Sequence, residues 1–341
     1  VFDDADGMRE HRERIRFVRR QLALKRNLLA GDEYDERGLS AAVCAGAIVR
    51  VLRGCYMRAE TWHAMRIDEQ LLARTLAVAR LRKQARPLFS HLSAAAIWGI
   101  PIYWTSRGQM ERVHVTTSPA RRGTSSAPVL QHLADVPDED ICEVEGLRVT
   151  SLARTVIDLA RWAPAETAIG CADAGLRRLF GVTRDQDLGA VDEWRERELA
   201  MLGTMRGGRG VARARWLLRI ADPRADSVAE SVSRLHLVRL RVPHEIQVHV
   251  VGPDGENFWL DFFFVGQRTF GEMDGRVKFA DPEFRRGRTL EQVLLDERER
   301  EVKVKGVTRN DVVRWGWAQT STTRRFGRML RGFGLDVPGL S

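Results

Sequence analysis

The chain has 341 residues, 44% of them hydrophobic, which is enough apolar material for two or three packed domains and excludes a disordered protein. A formal net charge of +9 points to a polyanionic partner, nucleic acid before an anionic membrane surface, with solvated helix surface as the plain alternative. No uninterrupted apolar stretch approaches the roughly 18 residues that span a bilayer. The first thirty residues are polar and Arg-rich, unlike a secretory signal. Cys44, Cys55, Cys142 and Cys171 have neither CxxC spacing nor a His at zinc spacing, so buried thiols in a reducing cytoplasm are expected.

In chain order, Met8–Leu29 reads as one amphipathic helix with Ile15, Val18, Leu22 and Leu29 near helical spacing. Leu39–Ala47 is a short helix, and Ile48–Met57 two short strands around a turn at Arg53-Gly54. Helix, short helix and β-wing is the layout of a winged helix-turn-helix, in which basic wing residues touch phosphates. Arg50, Arg53 and Arg58 suit that role. The presumed recognition helix, SAAVCAGAI, has almost no side chain able to read a base edge, and a small protein-interaction module is the competing reading.

Thr61–Lys83 reads as a helical connector. Ser90 starts a short helix that ends at Gly99-Ile100-Pro101, and Val113–Thr117 and Val129–Leu133 read as strands. Glu143–Val149 is a further extended segment with a turn at Glu145-Gly146, and Ser151 caps a helix holding the i,i+4 pair Arg154 and Asp158. His91, Ser93 and His114 lack an acid at catalytic spacing and read as structural. GTMRGGRG, residues 203–210, is the clearest composition break. The chain thus divides into a winged-helix-like segment (1–60), a mixed α+β middle domain (61–202), a linker with a helix (203–221) and a C-terminal α/β domain (222–341).

The last segment reads α-β-β-β-α-β-α. Ser227 starts its first helix, and Glu230 completes a capping box or supplies an acid to the following sheet. Phe258–Lys278 then reads as a β-hairpin. With Gly266-Gln267 as a two-residue type II′ loop, Val265 faces Arg268 and Asp261 faces Glu272. Opposed residues share a face, with Cβ atoms roughly 5 Å apart, and the period of two brings Asp274 to the same side. Three carboxylates among Phe and Trp repel unless a cation lies between them. Mg²⁺ is the natural choice, held by Asp261, Glu272 and Asp274, and metal-assisted phosphodiester hydrolysis is the chemistry such a site supports. The alternative is an edge hairpin with its acids in water. Arg324 and Arg325, in a basic closing helix, suit contacts to a phosphate backbone.

Glu230, Asp261 in LDFFF, and Glu272-Met273-Asp274-Gly275 followed by Arg276-Val277-Lys278 resemble the PD-(D/E)XK nuclease superfamily. The likeness is to the branch akin to very-short-patch repair endonucleases, the domain of unknown function 559 group. It covers about residues 222–332 and implies a restriction-endonuclease-like fold with a mixed central sheet. It also implies catalytic roles for Asp261, Glu272, Asp274 and Glu230 and a DNA contact for Arg276. The superfamily places a Lys two residues after the second acid, where this chain has Asp274, so Lys278 is the leading amine, with Lys303 and Lys305 as substitutes. Residues 1–180 resemble the AbiEi-like antitoxin family through GLSAAVCAGAIVRVLRGCYM, SHLSAAAIWGIP, VHVTTSP and GLRVTSLARTVIDLA. That resemblance implies a promoter-binding winged helix and a nucleotidyltransferase toxin as partner. The sequence reading is therefore an α+β multi-domain DNA-binding protein with a Mg²⁺-dependent endonuclease domain. Its alternative is a repressor or antitoxin in which that domain only binds DNA or a partner.

Overall fold

In the computed structural model, the described residues are 23–30, 36–102, 107–121, 128–181, 187–205, 207–274 and 289–340. The chain is α+β with mixed sheets. It divides into two units, Val1–Gly175 with Glu193–Leu218, and Leu176–Asp192 with Arg219–Ser341.

The first unit begins, among described residues, with a helical stretch at 23–27. The helix expected to reach Leu29 stops short. Leu29–Ala30 (β1) is drawn into a sheet, where Leu29 pairs with Tyr56 and Ala30 with Cys55. Helix α1 (Glu36–Cys44) precedes the hairpin of β2 (Ile48–Leu52) and β3 (Cys55–Arg58). The turn falls at Arg53-Gly54 as expected, with Gly54 at φ +84. Most of Met8–Leu29 lies outside the described residues.

The connector expected as a single helix is two, α2 (Ala59–Ala64) and α3 (Ile67–Leu81). The break has a local cause. The Glu69 carboxylate reaches back to accept the Arg66 N–H at 2.7 Å, which starts a new helix there. Next come β4 (Leu88–Phe89), α4 (His91–Trp98) and the single turn α5 (Arg107–Met110). Gly99 ends α4 in the left-handed region at φ 71, the usual helix stop.

Strands β5 (Val113–Thr117), β6 (Val129–Leu133), β7 (Ile141–Val144) and β8 (Leu147–Thr150) join β4 in the order β6-β5-β4-β8-β7. The turn expected at Glu145-Gly146 makes a hairpin of β7 and β8, with both residues at positive φ (51 and 79). Ser151 caps α6 (Leu152–Trp162), and α7 (Ala165–Phe180), α8 (Gly189–Thr204) and α9 (Val211–Ile220) follow. Of the cysteines, Cys55 and Cys171 are buried, but Cys44 is exposed and Cys142 half-buried, which corrects the expectation for those two.

The second unit carries α10 (Val228–Arg239), β9 (His244–Val251), β10 (Asn257–Phe264), β11 (Thr269–Met273), α11 (Leu290–Thr308), β12 (Asp311–Trp315) and α12 (Thr323–Gly332). The order is the expected α-β-β-β-α-β-α. The sheet runs β12-β11-β10-β9, antiparallel except for the parallel pair β11–β12. Two apolar clusters cover it. Leu260 and Phe270 pack with Val304 of α11. Phe262, Phe264, Met273 and Trp315 pack with Leu237 of α10 and with Phe326 and Leu330 of α12. Val312 and Val313 fall in different clusters, as alternation along a strand requires.

Leu260 and Phe262 are two apart yet also lie in different clusters, so β10 changes faces at Asp261. On β9 the matching step is Gln247, whose φ of +51 is left-handed, a rare state for a residue with a side chain. Gln247 is missing from an otherwise continuous ladder between Val248–Leu260 and Ile246–Phe262.

Candidate functional site

The hairpin register is the one counted from the sequence. Phe262 pairs with Gly271, Phe263 with Phe270 and Phe264 with Thr269, which extrapolates to Asp261 opposite Glu272. The turn differs. The strands end at Phe264 and Thr269, and Gln267 N donates to Phe264 O at 3.0 Å. Gly266, at φ +79, is third in that turn, where type II geometry needs a positive φ, and Arg268 follows in the left-handed region at φ 50. Four residues rather than two close the loop, and the register survives because both strands shorten equally.

The carboxylates take separate partners. Asp261 Oδ2 accepts the Met273 N–H at 2.8 Å, so a side chain replaces a ladder bond where β10 changes face. Glu272, 6% exposed, has each oxygen claimed by a different guanidinium. Arg300 Nη2 lies 2.7 Å from Oε1 and Arg314 Nη2 lies 2.8 Å from Oε2. Both arginines also bind Glu297 Oε1, at 3.0 and 2.7 Å, so Glu272, Arg300, Glu297 and Arg314 close a ring of alternating charge. Arg314 further reaches Asp274 and Glu301, each at 3.4 Å. Arg300 also donates to Trp259 O at 2.7 Å. Burial works against both guanidinium charges, but Glu272 and its neighbours hold their pKa values above the ordinary arginine value.

Glu230 belongs to the start of α10. It accepts the Asp226 N–H and the Ser227 hydroxyl, each at 2.8 Å, and Gln247 Nε2 at 2.9 Å. Burial, then the Asp226 charge, push its carboxyl above the usual range. Gln247, the β9 partner of Asp261 by position, thus ties its strand to α10.

Of the residues expected to act together, Glu272 and Asp274 are joined, through Arg314. Asp261 and Glu230 are held by other groups. Lys303 is ion-paired with Asp254, Glu256 and Glu299, and Lys305 with Glu301. Lys278 and Arg276 lie outside the described residues. Among the described residues no group of three or more His, Cys, Asp or Glu side chains is arranged to hold a metal. The Glu272 oxygens that would ligate Mg²⁺ already carry charge-assisted bonds to guanidinium, so the residues as placed do not fit the ion.

The expected phosphate-contacting residues are on the surface. Arg50, Arg53 and Arg58 are exposed on β2, its turn and β3, and Arg324 and Arg325 are exposed at the start of α12. None of the five pairs with a carboxylate among the described residues. The outer side of α1 shows Arg37, Ser40, Ala41 and Cys44, short side chains apart from the arginine.

A second constellation lies in the first unit. His91 stacks on His132 with ring centroids 3.5 Å apart, His114 bonds His132 (Nδ1 to Nε2, 2.9 Å), and Trp162 presents an edge to all three. Gln109 O can only accept, so the 3.2 Å contact fixes the proton on His114 Nε2. His132 Nε2–H then donates to His114 Nδ1. Burial holds all three imidazoles neutral, with His114 lowered to about 4 and His132 to about 3. Ser93 accepts from the His114 N–H at 2.9 Å and from Thr75 at 3.1 Å. His91 and His114 were visible in the sequence as single residues. Their meeting with His132 depends on the parallel pairing of β5 with β6.

Sequence reasoning missed Arg300, Arg314 and Gln247. The one signal was the alternation DERERE at 296–301, which places Glu297, Arg300 and Glu301 on adjoining helix positions.

No family model matches the chain. It is 32% identical over 140 residues to the uncharacterized proteins MT2308 and Rv2248 of Mycobacterium tuberculosis, covering 41% of this chain and 47% of theirs. The chain thus spans about half the length of the curated relatives it matches. Among solved structures it is similar to the RV2827C protein of M. tuberculosis, at 13% identity and a TM-score of 0.34, over 63% of this chain and 78% of that chain. That likeness is too slight to carry an argument. No helix among the described residues is long and apolar enough to cross a membrane.

Proposed function

We propose that the chain is a double-stranded DNA-binding protein whose C-terminal unit, nuclease-like in its order of elements, binds without hydrolysing. The observation that carries the binding reading is the set of exposed arginines without carboxylate partners among the described residues: Arg50, Arg53 and Arg58 on the β2–β3 hairpin, and Arg324 and Arg325 on α12. Helix α12, TRRFGRMLRG, has no acidic residue, and Arg328 and Arg331 are exposed along it as well. Exposed guanidiniums on a chain of net charge +9 are suited to phosphate contacts, which position a protein on a duplex without reading its sequence. The short side chains of α1 favour weak sequence preference.

The non-hydrolytic part rests on Glu272, whose two oxygens are bonded to Arg300 and Arg314. The β10–β11 register, which extended one pair past Phe262–Gly271 sets Asp261 against Glu272, favours the second reading, a Mg²⁺-dependent endonuclease. That reading needs the guanidiniums to leave. A nucleotidyltransferase toxin as partner rests on the AbiEi-like resemblance alone. Duplex binding in EDTA tests the proposal. Affinity should fall steeply with salt and weaken in Arg50→Ala/Arg53→Ala and in Arg324→Ala/Arg325→Ala. Binding that is absent in EDTA and appears only with Mg²⁺ would favour the endonuclease.

A further inference from the structure

Helix α11 turns two aliphatic side chains to solvent. Leu295 is 59% exposed and Val302 65%. Seven residues separate them, close to two helical turns, so they share one face. Arg298 and Glu299 stand between them on that face, both exposed, and Gly306 continues it beyond Val302. The sheet uses the opposite side of the helix, where Val304 packs with Leu260 and Phe270. The outer face thus carries a second apolar seam at the spacing by which helices pack on one another.

Charge along the helix is polarised. Residues 290–299 carry four acids and one base, and residues 300–309 carry four bases and one acid. The helix macrodipole favours that order, with acids at the start and bases at the end. It does not account for aliphatic side chains in water at 295 and 302. A second α11 laid antiparallel on the first accounts for both features, because each acidic half then faces a basic half and the aliphatic positions coincide.

We propose that the outer face of α11 is where a second copy of this chain docks, the two helices antiparallel about a two-fold axis that passes between Arg298 and Glu299. That axis sets Leu295 against the partner's Val302 and, by symmetry, Val302 against the partner's Leu295, so all four aliphatic side chains leave water together. Arg298 then meets the partner's Glu299. Arg298 pairs with no carboxylate among the described residues. Glu299 lies 3.3 Å from Lys303 through Oε1 and leaves 68% of its side chain exposed. Glu291 falls opposite the partner's Gly306, between the partner's Lys305 and the partner's Arg309. A parallel pair would oppose like charges instead. One helix pair buries less than the roughly 800 Å² per partner of a standard interface, so the dimer is weak and forms with rising concentration. The inference does not depend on DNA binding.

Sedimentation equilibrium of the full chain over a range of micromolar concentrations tests it. The native chain should pass from monomer to dimer. Leu295→Gln/Val302→Gln should stay monomeric and keep the native circular dichroism, since both residues are exposed. Arg298→Glu and Glu299→Arg, each alone, should dimerise more weakly than the native chain, because each sets like charges against each other. An equal mixture of these two variants should recover dimerisation, because every rung then joins opposite signs. A native chain that stays monomeric throughout overturns the proposal and leaves the face to a different protein. A dimer that the double glutamine variant leaves intact overturns it too, because the contact then lies elsewhere. A mixture that associates no better than its components overturns the antiparallel pairing.

Discussion

Glu272 and Arg314 stand opposite each other across the parallel pair β11–β12 and meet in a 2.8 Å ion pair. The pair joins strand to strand, and through Arg300 and Glu297 it joins both strands to α11. Glu272 is nearly buried, so its removal leaves the two guanidiniums sharing one acid, Glu297, instead of two. Breaking a buried pair from one side costs about 3–5 kcal/mol. Glu272→Ala is expected to lose stability on that scale in urea unfolding, and a loss under about 1 kcal/mol, typical of surface pairs, would show that the ring is ornamental.

The histidine cluster sets a pH dependence. The folded state depresses His114 to about 4 and His132 to about 3 from an ordinary value of 6.5. Below 6.5 the unfolded chain therefore takes up protons that the folded chain refuses. Stability is complete above pH 6.5 and falls as the pH drops toward 4, by about 1.4 kcal/mol per pH unit for each group. Urea midpoints measured from pH 7.5 to 4.5 should decline in this way, and His132→Gln should flatten the decline. A flat profile in the native chain would mean that the imidazoles are not buried neutral.

Gly271 is required by packing. A Cβ there would lie 2.5 Å from Cη2 of Trp315 and 3.0 Å from Cζ of Phe264. The indole and the phenyl ring lie over the bare backbone and belong to the same core. Gly271→Val should cost about 1–3 kcal/mol through overpacking, against the usual preference of strands for valine. A stabilised variant would mean that Trp315 is free to move aside.

The arginines of the β2–β3 hairpin should act through phosphate contacts. Each contact contributes about 0.9 to the slope of log affinity against log salt. Replacing Arg50, Arg53 and Arg58 by Ala together should lower that slope by about 2–3 and weaken different duplex sequences equally. Loss confined to one sequence would instead place these residues against base edges.

What was legible in the sequence follows from what local chemistry fixes. The pairing of β10 with β11 could be counted because a short loop joins them, and an equal retreat of both strands kept the register that pairs Phe262 with Gly271 and extends to Asp261 opposite Glu272. The turn type was misread because Val265 and Arg268 belong to the loop. Ser151 and Ser227 announced two helix starts, and in each the side chain accepts the expected backbone N–H. Arg314 was not legible. The register of β12 against β11 is set by how α11 packs, and no count along the chain gives it. For the same reason three histidines far apart in sequence gave no sign of meeting, and the face change at Asp261 was invisible without the left-handed Gln247 beside it.

The most direct measurement incubates supercoiled plasmid with the native chain in Mg²⁺ or Mn²⁺ and follows binding and topology in the same samples. Retarded plasmid that remains supercoiled in both metals is the expected result. Nicking that requires the metal and disappears in Asp261→Ala or Glu272→Gln would contradict it, because the acids would then be serving a cation that the two arginines should exclude.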